Sequence, residues 1–177
     1  MTNNKFYNET ANLSVYIANL EEYVKGNLVG DWVSLPIEKS DFKDFLKTIG
    51  NHEEITYFTH DYKDNLGLDG LKIREYMSIE DLNKLGGRIE NIVTCEVDAL
   101  NALYEALGDF EGALDSLEAG DYAFYKNMTM KEVAQEYIEE YSDIPTYIKN
   151  HIDYESVAHD MRYDGYYDTE YGVIYVV

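Results

Sequence analysis

Short alternating runs give way along the chain to longer stretches with helical spacing. Residues 14–20 (SVYIANL) and 31–37 (DWVSLPI) are β-prone strands, joined by EEYVKGNLVG, whose two glycines predict a loop. Ser40 is expected to N-cap a short helix, DFKDFLKTIG, that ends near Gly50. Residues 54–62 (EITYFTHDY) alternate as a third strand. These elements make a small α+β module over residues 1–62, with the polar residues 1–12 expected to fray.

A glycine-bearing loop or linker follows, and the pattern then turns helical. Ser78 with Asp81 opens a helix in which Leu82, Leu85, Ile89, Ile92 and Val93 keep helical spacing, with a possible break at Gly86-Gly87. Val97, Leu100, Leu103, Tyr104 and Leu107 form a second run closed by Gly108, and a third helix spans 109–118 before Gly120. Residues 63–119 are therefore expected to be a helical middle module. The remainder, 120–177, reads as a second α+β module. It holds a strand at 121–127 (DYAFYKN), a helix at 129–141 opened by the capping box Thr129/Glu132, a helical stretch begun by Pro145, a helix capped by Asp153, and a terminal β-hairpin, GYYDTEYGVIYVV. In the 129–141 helix, Met130, Val133, Ala134, Tyr137, Ile138 and Tyr141 make one apolar stripe.

Composition adds the second layer. The 177 residues are 45% hydrophobic, enough for one ordinary domain or two to three small modules. Thirty-five acidic residues against 14 basic ones give a formal charge of −21. The excess deepens along the chain, from −4 over residues 1–60 to −6 over 61–110 and −11 over 111–177. Proteins that bind nucleic acid directly need a basic face to displace counterions, and such a face is not expected here. Acidic disorder is equally out of character, because 18 Tyr, 6 Phe and 1 Trp supply core-forming aromatics. The single cysteine, Cys95, excludes an intramolecular disulfide and suits a reducing compartment. With no apolar leader and no run of 18 apolar residues, the expectation is a soluble, cytoplasmic protein that does not engage membranes.

Chemistry-bearing motifs are sparse. In HIDYESVAHD (151–160), His151, Glu155 and His159 fall at i, i+4 and i+8, the spacing of one helical face. The HExxH order is absent, however, and Asp153 reads as an N-cap that places His151 in a different element. His60-Asp61 lacks the further histidines and aspartates that a metal phosphohydrolase requires. From Asp160, DMRYDGYYDTEY puts Arg162 and Tyr171 where an EF-hand loop needs oxygen ligands. Neither GxSxG, a P-loop, GxGxxG nor CxxC occurs, and Cys95 sits in a helical run as a small apolar residue. A non-enzymatic protein without cofactor or metal is expected.

The carboxylates need their own explanation. Glu132, Glu136, Glu139 and Glu140 lie opposite the apolar stripe of the 129–141 helix, where like charges at i, i+4 cost a few tenths of a kcal/mol per pair. Solubility needs a net charge of only about 2–8 for a small domain, so −21 implies a use that offsets self-repulsion. One such use is to present the field of a polyanion. Two copies of the chain carry the charge of about 21 base pairs, roughly 71 Å of duplex. The other use is an acidic adaptor that binds a basic protein without imitating DNA.

The run VYIANLEEYVKGNLVGDWVSLPI resembles the start of the ArdA antirestriction proteins, through Tyr16, Ile17, Ala18, Asn19, Leu20 and Tyr23, then Gly26, Leu28, Val29, Gly30, Trp32, Pro36 and Ile37. The resemblance continues in HDY (60–62) and EYMSIEDLN (75–83), and returns in YIEEY, IPTYIKNHIDYESVAHDM and GVIYVV. About two thirds of the chain is covered. Residues 86–128 match only in their helical and acidic character, and the 12 residues at the N-terminus and the stretch 65–70 depart from the pattern.

The resemblance implies an elongated α+β chain of three small modules: an N-terminal three-stranded sheet with a helix, a helical middle, and a C-terminal α+β module that dimerises. It also implies a homodimer that imitates B-form DNA, and so inhibits type I restriction-modification enzymes by occupying the DNA-binding groove of their methyltransferase core. Such proteins travel on mobile genetic elements. On local acidic density, the phosphate-mimicking carboxylates are expected to be Asp109, Glu111, Asp115, Glu118, Glu132, Glu136, Glu139, Glu140, Asp143, Asp153, Glu155 and Asp160. Tyr122, Phe124 and Tyr125 are the candidate dimer-interface residues.

Overall fold

The computed structural model describes residues 4–50, 56–141 and 143–177. The fold is mixed α+β, with eight α-helices and two three-stranded antiparallel sheets among the described residues. Two compact units divide the chain: residues 1–67 with 71–94, and residues 68–70 with 95–177.

In unit 1, β1 (Leu13–Asn19) is the central strand of a sheet ordered β2-β1-β3, with β2 at Gly30–Leu35 and β3 at Tyr57–Asp64. Glu54 and Ile55, which the sequence pattern assigned to the third strand, lie outside the described residues. Strand alternation decides the core: Leu13, Val15 and Ile17 are fully buried on one face, with Val33 and Leu35 across from them. A bulge leaves His60 unmatched, since Tyr16 pairs with Asp61 and Ile17 with Thr59.

Four local expectations change in unit 1. The segment expected to be a plain loop after β1 begins with α1 (Leu20–Val24), because the Asn19 side chain accepts hydrogen bonds from the Glu21 and Glu22 amides. Helix α2 (Lys39–Thr48) starts one residue before Ser40 and is capped by no side chain. Its entry is fixed instead by Asn83, whose amide exchanges two 2.8 Å hydrogen bonds with the Ile37 backbone. Helix α3 (Ile79–Glu90), N-capped by Ser78, runs unbroken through Gly86-Gly87. Gly86 is there for closeness, since a Cβ would stand 2.6 Å from the Leu35 Cβ.

Nor do residues 4–12 fray, although 1–3 lie outside the described residues. Asn4 donates to the Trp32 carbonyl at 2.7 Å, the Ser34 amide donates to the Phe6 carbonyl at 3.0 Å, and the Phe6 ring meets Phe45 edge-on at 5.6 Å. A polar segment is held here because it satisfies backbone groups on the outer edge of β2.

Unit 2 is built on α4 (Val97–Leu107), whose Leu100 and Leu103 are fully buried, and α5 (Phe110–Ala119). Gly108 ends α4 and Gly120 ends α5, both in the left-handed conformation that glycine favours. The second sheet is ordered β4-β6-β5, with β4 at Tyr122–Lys126, β5 at Tyr166–Thr169 and β6 at Gly172–Val176. Helices α6 (Met130–Tyr141) and α8 (Tyr154–Met161) close a core of Met130, Val133, Ala134, Ala158, Met161 and Val173; α7 (Thr146–Lys149) lies between them in sequence. Residues 68–70 join this unit through buried Asn101, which accepts from the Asp69 amide at 2.9 Å and donates to the Tyr171 hydroxyl.

Candidate functional surface

Charge divides unevenly between the units. Unit 1 holds 15 acidic and 10 basic residues, a net −5, whereas unit 2 holds 20 against 4, a net −16. The polyanionic character therefore belongs to unit 2.

All twelve carboxylates singled out from the sequence are solvent-exposed. Asp109, Glu111, Asp115 and Glu118 are carried by the cap and body of α5, and Glu132, Glu136, Glu139 and Glu140 by α6. Asp143 follows α6, while Asp153 caps α8 and Glu155 and Asp160 lie within it. The reason is helical geometry. Met130, Val133 and Ala134 take the core face of α6, so the interleaved glutamates must point outward. The stripe frays outward along the helix: Ile138 is half-buried, Tyr137 is 47% exposed, and the side chain of Tyr141 lies outside the described residues.

Several of these carboxylates also have structural work. Asp109 accepts from the Gly112 amide at 2.9 Å. Glu132 accepts from both the amide and hydroxyl of Thr129, and these bonds hold its carboxyl below the usual range. The Asp153 carboxyl is lowered chiefly by the Ser156 hydroxyl and amide. Glu155 pairs with Lys131 at 2.9 Å, which raises the lysine. Exposed acids of unit 2 that local density did not single out are Asp69, Glu105, Asp121, Asp164, Asp168 and Glu170. Their only sequence signal was the unit's composition.

The three aromatic residues of β4 part company across the sheet. Tyr122 and Phe124 share one face with Lys126, which forms an ion pair to Asp98 of α4, and Tyr125 packs from the other face onto the α6/α8 core. All three are half-buried. Strand β4 pairs on one side with β6, leaving its other edge without a strand neighbour among the described residues. Tyr166, packed between Tyr125 and Tyr175, is pushed up to about 12, mainly by burial and then by the surrounding tyrosines.

The histidines do not assemble. His151 precedes α8, whereas His159 lies inside it against Tyr163 and Asp160. Among the described residues no group of three His, Cys, Asp or Glu side chains is arranged to hold a metal. An open depression between the start of α6 and α8 is lined by Lys131, Glu155, His159, Arg162 and Asp168, but its two strong cations are already paired, Lys131 with Glu155 and Arg162 with Asp168. Cys95 is exposed in a single 3-10 turn. Among the described residues no helix is long and apolar enough to cross a membrane.

Fold and surface together define an acidic α+β protein that displays carboxylates outward from its helices. The family model of the antirestriction protein ArdA matches residues 15–175, and the chain belongs to that family. Membership implies antirestriction activity directed at type I restriction enzymes, and the family is one of inhibitors, not enzymes. No curated protein matches the chain.

Proposed function

We propose that the chain inhibits type I restriction-modification enzymes by imitating B-form DNA, its surface carboxylates standing in for phosphates in the DNA-binding groove of the methyltransferase core. The observation that carries this reading is the net −16 of unit 2 on an antirestriction protein, with all twelve candidate carboxylates exposed. A groove that binds duplex DNA must be lined by Lys and Arg, and an anion that fills it releases the counterions as DNA does. The protein acts in the cytoplasm as a homodimer, with the open edge of β4 and its Tyr122, Phe124 and Tyr125 in the interface, so that two polyanionic units combine into one longer track.

Competition binding tests this. Duplex DNA should displace the protein from a type I methyltransferase, and affinity should fall steeply with salt. Single Glu→Gln changes at Glu132, Glu136, Glu139 or Glu140 should each change affinity only slightly. The four together should weaken it cumulatively and reduce the salt slope by about one per lost contact. Simultaneous binding of DNA and protein would favour an acidic adaptor instead, and loss of inhibition from one substitution would point to a discrete site. Light scattering at micromolar concentration should give the mass of a dimer.

A further inference from the structure

Unit 1 has a surface of a different kind. Across the sheet face opposite its aliphatic core runs a continuous row of rings, from Trp32 on β2 to Tyr16 on β1 at 5.6 Å, His60 on β3 at 5.9 Å, and Tyr23 of α1 at 6.1 Å from His60. Tyr23 rests on buried Phe58 at 4.9 Å yet is 46% exposed. Tyr76, 68% exposed, lies close enough to Tyr23 for the two hydroxyls to influence each other. Val24 at the end of α1 and Leu28 in the loop after it are also exposed, 79% and 52%. Aromatic and aliphatic surface of this extent on a charged protein marks a contact site.

The bordering charges say what it contacts. Asp61 pairs directly across from Tyr16 in the sheet register, Asp31 acts electrostatically on Tyr16, and the carboxylate of Glu75, the residue before Tyr76, raises the Tyr76 hydroxyl. Among the described residues no lysine or arginine forms an ion pair with Asp31, Asp61 or Glu75, whereas Lys25, the C-cap of α1, is held by Glu21 and Glu22. Ring faces edged by carboxylates suit a planar guanidinium, which stacks on the rings while pairing with the acids; a compact ammonium uses the same surface less well.

We propose that the aromatic face around Tyr16, Tyr23, Trp32, His60 and Tyr76 docks arginine side chains of the basic protein partner, as an anchor separate from the polyanionic surface of unit 2. The identity of that partner, a type I restriction-modification enzyme, rests on the proposed function. The anchor works through desolvated ring contacts and a few paired charges, so it contributes affinity that salt screens little. Unit 2 supplies the salt-sensitive remainder.

Trp32, the single tryptophan, reports on this face directly. In the intact protein, a tryptophan-free oligoarginine peptide should perturb Trp32 fluorescence at about fivefold lower concentration than oligolysine of equal length. Replacing Tyr23→Leu together with Tyr76→Leu should abolish that preference, and Tyr23→Phe with Tyr76→Phe should keep it. The Leu pair should bind a type I methyltransferase about tenfold more weakly with an unchanged salt slope. Tyr76→Leu alone, at a position that is mostly solvent, should show part of the loss with an unaltered thermal melt. Equal responses to the two peptides, a retained arginine preference in the Leu pair, or unweakened methyltransferase binding by it would each overturn the proposal. Failure of the unaltered protein to bind the methyltransferase, with the arginine preference intact, would overturn the enzyme as partner and leave the docking face standing.

Discussion

Single residues in unit 2 carry two duties at once. Thr129 and Glu132 satisfy each other's backbone at the start of α6, and the bonds that do so lower the Glu132 carboxyl. Asp153 caps α8 by accepting from the Glu155 and Ser156 amides, and the Ser156 hydroxyl and amide lower its carboxyl. A carboxyl lowered by folding stabilises the protein above its unfolded pKa, and that contribution disappears as pH falls through the lower folded value. The acid limb of unfolding should therefore extend below the ordinary carboxylate range. Thr129→Ala should cost about 1 kcal/mol at neutral pH by loss of the cap. It should also flatten the acid limb, because Glu132 then titrates nearer its ordinary value; urea melts between pH 7 and pH 3 measure both effects.

At the scale of elements, adjacent glycines in α3 serve opposite purposes. A Cβ on Gly86 would meet the Leu35 Cβ at 2.6 Å and the adjoining backbone at 3.2 Å, whereas one on Gly87 would meet nothing within 4 Å. Both sit in a helix interior, where alanine is favoured over glycine by about 0.5–1 kcal/mol. Gly87→Ala should consequently stabilise unit 1 by about that amount. Gly86→Ala should destabilise it by about 1–3 kcal/mol as α3 is forced away from β2. Chemical denaturation of the two variants side by side checks the sign of each. The helical spacing of Leu82, Leu85 and Ile89 was readable from sequence, but which glycine touches a strand was not, because that contact joins residues about fifty positions apart.

For the whole molecule, salt should act in opposite directions on stability and on binding. Unit 2 folds against the repulsion of a net −16 and unit 1 against only −5, so screening relieves strain chiefly in unit 2. Raising NaCl from low to physiological strength should raise the melting temperature of unit 2 more than that of unit 1. The same salt should weaken inhibition of the restriction enzyme. Calorimetry of the protein, set beside inhibition assays at matching salt, tests the pair of trends. A protein selected only for stability would not hold so one-sided a charge.

The sequence alone determined the acidic character, the order of the strands and of every helix except α1, and the caps at Ser78, Thr129 and Asp153. All of these rest on local spacing or on composition, which are written into consecutive residues. It also put the α6 glutamates on the solvent side, because a 3.6-residue period that buries Met130, Val133 and Ala134 leaves them no other direction. Tertiary structure decided the rest. It assigned α3 to the first sheet and α4 to the second, held residues 4–12 along β2, and separated Tyr125 from Tyr122 and Phe124. It also assembled the ring row of Trp32, Tyr16, His60 and Tyr23 from three strands and a helix. Each of these depends on which distant surfaces meet, and no local period records that.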